Sequence, residues 1–118
     1  MFQFMRGVAL VAVMLPSCEV ASAADYISAN FVMPGCRAAM IDPNKSRNIE
    51  EAVLQGYCAG TVRAIGLFGP RVCSPSGWTT DQAIRVVVQF IDGHPARLNE
   101  DFVLLAVEAL RAAWPCKR

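Results

Sequence analysis

Apolar residues return every three or four positions along most of this chain, with polar residues in the intervals. The clearest case is TTDQAIRVVVQFIDG, where Ile84, Val87, Val88 and Ile91 fall on one face of a helix. Thr79 with Gln82 makes a capping box, Asp81 suits the first turn, and Gly93-His94-Pro95 ends the segment. LNEDFVLLAVEALRAAW predicts another helix, with Phe102, Leu105, Ala106, Ala109 and Leu110 turned inward. Asn99 is its expected N-cap, followed by Glu100 and Asp101. NIEEAVLQGYCAGTVRAIGLF predicts a longer helix that opens on the capping pair Asn48 and Glu51. Ile49, Val53, Gly56, Tyr57, Gly60 and Ala64 recur at helical spacing and mark its expected inner face. Gly56 and Gly60 each cost a helix interior about 1 kcal/mol relative to alanine, so close approach of another helix or of a disulfide partner is expected there.

The stretch DYISANFVMPGCRAAMI is interrupted by Pro34-Gly35. Either a short helix precedes Pro34, or Pro34 stands at the first position of a helix running to about Met40. DPNKS then reads as a turn. No segment has strand-like alternation and no hairpin signal is present. The pattern predicts a compact all-α domain, a small bundle of about four helices.

The first residues follow a different pattern. Arg6 is a positive start, Gly7 to Leu15 is a short apolar run, and Ala21-Ser22-Ala23 is a small-x-small cleavage site. This predicts a signal peptide over 1–23, with a single domain over 24–118 exported to the periplasm. The apolar run is too short to span a bilayer. LPSC raises lipidation at Cys18 as an alternative to its removal.

Export changes how the cysteines are read. Of five, Cys18 leaves with the signal peptide, and Cys36, Cys58, Cys73 and Cys116 remain. An even number in a small exported domain predicts two disulfides. A zinc or redox site would want a C-x-x-C pair, and none occurs. In an up-and-down bundle, Cys73 follows the second long helix and Cys116 the last, so both sit at one end. Of three possible pairings this favours Cys36–Cys58 and Cys73–Cys116. The ending RAAWPCKR then makes sense: Pro115 stops the helix, Cys116 ties the terminus down, and Trp114 covers the junction.

The formal net charge of the whole chain is +1, and its Lys and Arg residues are scattered, which argues against nucleic acid as a partner. The lone histidine, His94, sits in a helix-ending Gly-His-Pro and reads as a cap or surface residue. No carboxylate pair, phosphate loop or metal cluster stands out, so no catalytic residue, cofactor or metal is expected. Function then lies in a surface. The loop GLFGPRVCSPSGW carries Leu67, Phe68, Arg71 and Trp78 in a segment too short and turn-rich to bury them all. Aromatic and Arg residues are enriched at interface hot spots, and a bridged Cys73 would hold the loop rigid. Leu67, Phe68, Arg71 and Trp78 are therefore candidate partner-binding residues, with Phe68 and Trp78 capping the end of the core as the alternative.

GYCAGTVRAI, VCSPSG and TTDQAIRVVVQFIDGHPARLNEDFVLLAVEALRAAWPC together resemble the Rap/Tai immunity family, the immunity proteins of type VI secretion amidases. The resemblance rests on Cys58 and Gly60, Cys73 and Pro75, His94 and Pro95, and Ala109 through Cys116, with MPGC at Cys36. It covers about residues 30–116. It implies a small helical periplasmic protein, often dimeric, that binds and inhibits a peptidoglycan amidase effector. A generic periplasmic helical protein, such as a stress chaperone or an envelope assembly factor, is the alternative.

Overall fold

The computed structural model describes residues 27–117; the expected signal peptide and Cys18 lie outside the described residues. Four α-helices follow one another: α1 (Ala29–Ile41), α2 (Ile49–Phe68), α3 (Thr80–Asp92) and α4 (Phe102–Ala113), with a 3-10 turn at Pro95–Arg97 before the last. Among the described residues there is no strand, only two isolated bridges, Ser28 with Asp101 and Val72 with Pro115. Both disulfides are formed as the bundle reading expects, Cys36–Cys58 between α1 and α2 and Cys73–Cys116 at the chain's end.

Helix starts are set by local chemistry. Asn48 Oδ1 accepts from the Glu51 N–H at 2.9 Å and Thr79 Oγ1 from the Gln82 N–H at 3.1 Å. The Glu51 carboxylate reaches back one residue further than a capping box does, accepting from the Arg47 N–H at 3.1 Å. α4 starts later than the sequence suggested. Its N-cap is Asp101, whose carboxylate accepts from the Val103 and Leu104 N–H groups, while Asn99 lies in the preceding turn. The 3-10 turn after Pro95 uses up the residues that would otherwise have begun the helix.

The first helix corrects both sequence expectations for Pro34. It runs unbroken from Ala29 to Ile41 with Pro34 inside. Proline lacks the N–H that would bond the Asn30 carbonyl, but Pro34 faces solvent, where water can serve that carbonyl. The N-terminus of α1 has no side-chain cap. Instead the Leu98 and Glu100 carbonyls accept from the Asn30 and Ala29 N–H groups, both at 2.9 Å, and the Ile27 carbonyl accepts from Phe102 at 2.8 Å. These bonds lock the start of α1 to the start of α4.

The inner face of α2 is also not the expected one. Leu54, Gln55, Cys58, Val62, Ile65 and Gly66 are buried, whereas Ile49 and Val53 are 83% and 63% exposed. Gly56 and Gly60 face open space, with no atom near where a Cβ would stand. The Cys36–Cys58 bridge fixes this phase. Cys58 must face α1, and the residues one turn away on either side follow it inward. Close approach occurs at other glycines. Gly35 lies against the Leu54 main chain, and Gly66 lies under the Trp78 indole. The core is filled by Val32, Cys36, Cys58, Val62, Val87, Ile91, Phe102, Leu105 and Leu110. The inward residues expected for α3 and α4 are all buried. Gln55 is the buried polar side chain, and its Nε2 donates to the Lys45 carbonyl at 2.9 Å, which holds the α1–α2 turn down.

Candidate partner-binding surface

The connection between α2 and α3 is built as a rigid shelf. Gly69 ends α2 with its N–H on the Ile65 carbonyl at 2.7 Å. Val72 bridges Pro115, and the Cys73 N–H donates to the Trp114 carbonyl at 2.9 Å, just beside the Cys73–Cys116 disulfide. Ser74 Oγ donates to the Gly66 carbonyl at 2.7 Å. Gly77 takes a φ of 78°, which a glycine adopts without penalty, and lets the chain turn into α3. Trp78 is half-buried over Gly66, tilted against Trp114 with ring centroids 5.8 Å apart. The terminal helix and the loop therefore hold each other in place.

Leu67 and Phe68 belong to the last turn of α2, because the helix runs on to its Gly69 cap, rather than to the loop expected over them, and the four candidate residues divide. Phe68 is 84% exposed and Leu67 is 50% exposed, and Arg71 is also on the surface. Trp78 packs onto the core with Trp114, so it braces the shelf from below. Arg71 holds a φ of 60°, the left-handed region that non-glycine residues rarely occupy.

Two residues absent from the candidate set join Arg71. A depression of about 490 Å³ is lined by Arg71, Arg111, Pro115, Cys116 and Lys117. Arg111 Nε donates to the Pro70 carbonyl at 2.8 Å, which lays its guanidinium along the loop. The signal was legible: Arg71 and Lys117 lie within two residues of Cys73 and Cys116, so pairing those cysteines brings the cations together.

Elsewhere four arginines are matched with carboxylates. Arg37 makes a bidentate pair with Asp92 at 2.6 and 3.0 Å, Arg47 pairs with Glu51, and Arg85 with Asp81. Arg97 joins both Glu100 and Glu108 at 2.7 Å. Hydrogen bonds from Arg37 hold the Asp92 carboxyl below its usual range, and those from Arg97 do the same for Glu100 and Glu108. The same bonds raise Arg37 and Arg97.

A second surface feature lies on α1. Phe31, Pro34, Ala38 and Ile41 recur at helical spacing on its outer side, with Phe31 and Ile41 exposed. Pro34, Ala38 and Ile41 line a cleft of about 950 Å³ against the 42–47 turn. His94 stands at the end of α3, its Nδ1 2.7 Å from the Phe90 carbonyl and its ring against Phe90. Among the described residues, no group of three His, Cys, Asp or Glu is placed to hold a metal ion.

With the four helices and two bridges in view, the family comparison is decisive. The model of the Rap1a immunity proteins matches residues 19–116. The chain belongs to the Rap1a immunity protein family. Proteins of this family protect against effectors by binding them and are generally not enzymes. No curated protein matches the chain, and no solved structure does. The Rap1a match spans both bridges and the whole shelf, so the surface described here belongs to the immunity domain.

Proposed function

We propose that this protein is a periplasmic immunity protein of a type VI secretion system that binds a peptidoglycan amidase effector and blocks it, without catalysing a reaction itself. The family match carries the proposal. The two disulfides support an oxidising compartment, which the periplasm supplies. An inhibitor of this kind needs a preformed surface. The last turn of α2 and the connection after it provide one, since Gly69 is bonded to Ile65, Val72 to Gly69, and Cys73 and Ser74 to Trp114 and Gly66 beside the Cys73–Cys116 bridge. Leu67, Phe68 and Arg71 are the contact residues in this reading, and Trp78 is the support beneath them.

The test is direct. Oxidised protein spanning 24–118 is mixed with a type VI peptidoglycan amidase effector from the same genome, and release of peptidoglycan fragments is followed. Equimolar protein should abolish release. Undiminished release at a large excess would exclude the amidase as target. Export is checked separately by N-terminal sequencing of periplasmic protein, which should begin at Ala24 or Asp25 rather than at Met1.

A further inference from the structure

We propose that the corner formed by Arg71, Arg111 and Lys117 receives an acidic segment of the protein partner. Resting on the immunity role, that partner is the effector, and its contacting surface carries clustered Asp or Glu side chains. The first reason is charge segregation. The five ion pairs among the described residues engage Arg37, Arg47, Arg85 and Arg97; Lys45, Arg63, Arg71, Arg111 and Lys117 stand outside them, and of these Arg71, Arg111 and Lys117 meet in one depression. No Asp or Glu lines the depression where these three meet. Like charges gathered with no described Asp or Glu among them repel one another and present a positive field to an incoming partner.

The second reason is preorganisation. Arg111 spends one N–H on the Pro70 carbonyl, which aims the guanidinium and leaves its terminal nitrogens to bind a carboxylate. Arg71 stands at a φ of 60°, the left-handed backbone state that is costly for a non-glycine residue. A glycine there would relieve that cost, so the backbone conformation gives no reason for an arginine at this position. The Val72–Pro115 bridge and the disulfide beside it hold the strained backbone in place.

The third reason concerns the kind of anion. A nucleic acid or long polyanion is tracked by an extended basic stripe. Here three cations occupy one corner, Leu67 and Phe68 stand exposed in the turn of α2 that leads into the same connection, and the whole chain carries a net charge of only +1. An apolar contact beside a small positive corner fits a protein surface with an acidic patch.

The experiment uses the full oxidised protein 24–118, the amidase effector of the inhibition assay, and a fluorescein-labelled oligoglutamate peptide as probe. The double reversal Arg71→Glu/Lys117→Glu should weaken amidase binding about tenfold or more, and added salt should weaken the wild type more than this variant. Arg71→Gly should bind more weakly yet melt at the same temperature or higher, which separates a binding role from a structural one. Arg111→Gln is read only beside its melting curve, because Arg111 also holds Pro70. If the amidase is inhibited equally by wild type and by the double reversal, and salt changes neither, the acidic contact is wrong while the immunity role stands. If no amidase is bound, the target is wrong, and the peptide decides the corner: binding lost on reversal upholds an acidic protein ligand, and no binding to wild type overturns it. Heparin displacing the peptide at lower concentration than unlabelled oligoglutamate would mean a polyanion site and would also overturn the proposal.

Discussion

Cys36–Cys58 and Cys73–Cys116 are chemically the same bond in opposite surroundings. The first is fully buried between α1 and α2, with Val32 and Val62 among the core residues around it. The second lies on the surface and joins an irregular loop to the end of the chain. One bridge is part of the core and fixes which face of α2 points inward. The other has little core around it and serves as a clasp, keeping the 69–78 shelf and the Trp78–Trp114 contact in register. A disulfide near a helix pair thus sets packing, and one at a chain end sets the shape of a surface.

Removing each bridge is the sharpest way to break that contrast. Chain-entropy reasoning assigns loops of 22 and 43 residues roughly 3–4 kcal/mol each. Cys36→Ala/Cys58→Ala also empties part of the core, so its loss should reach about 4–5 kcal/mol by chemical denaturation. Cys73→Ala/Cys116→Ala should cost about 2–4 kcal/mol, with the loss of amidase binding as its more specific effect. Under mild reductant the exposed bridge should open first, as read by mass mapping of alkylated cysteines. Equal rates for the two bridges would contradict the burial difference.

Glycines offer the next largest effects, and they differ in sign. A Cβ on Gly35 would overlap the main chain of Leu54, and main chain cannot step aside. Gly35→Ala should therefore destabilise by about 1–3 kcal/mol or more. Gly66→Ala meets only the Trp78 ring, a side chain that can shift, so a smaller loss is expected, together with altered tryptophan fluorescence. Gly56→Ala and Gly60→Ala meet nothing and should each raise stability by about 0.5–1 kcal/mol. A loss at either position would mean that a partner surface packs there.

Acid should produce the smallest effect, and it separates the paired charges from the unpaired corner. Asp92, Glu51, Glu100 and Glu108 all have folded pKa values depressed by hydrogen bonds from arginine. A depressed carboxyl contributes stability above its unfolded value, and the contribution is lost as pH falls through the folded one. Thermal stability should thus decline below about pH 4.5, shallowly because these pairs are solvent-exposed. Asp92→Asn should flatten the decline, whereas Arg71→Gln/Lys117→Gln should leave its slope unchanged. A slope altered by the latter change would place a carboxylate in the corner.

Much of the fold was readable in the residues because it is local. The α3 stripe, the Asn48 and Thr79 caps and the stop at Pro115 depend on neighbours a few residues away. The α2 face was misread because small and apolar residues lie on two sides of that helix. Cys58 held the correct phase, but only once its partner is placed. The α4 start was misread because Asn99 and Asp101 are both good caps, and the turn after Pro95 decides between them. For the surface, the sequence singled out a segment whose Leu67, Phe68 and Arg71 are exposed in the fold. Which of its side chains are free and which are braces depends on packing against Gly66 and Trp114 from other parts of the chain.

By itself, then, the sequence determined the all-helical class, the caps of α2 and α3, the number of bridges and the family, since each is written in short spacings and motifs. Tertiary structure alone decided that Pro34 could stay inside a helix, because its face meets solvent. It decided that Gly35 and Gly66, rather than Gly56 and Gly60, are the points of close approach. And it gathered Arg71, Arg111 and Lys117 into one corner, because a 43-residue separation closes only when the last helix returns beside the loop.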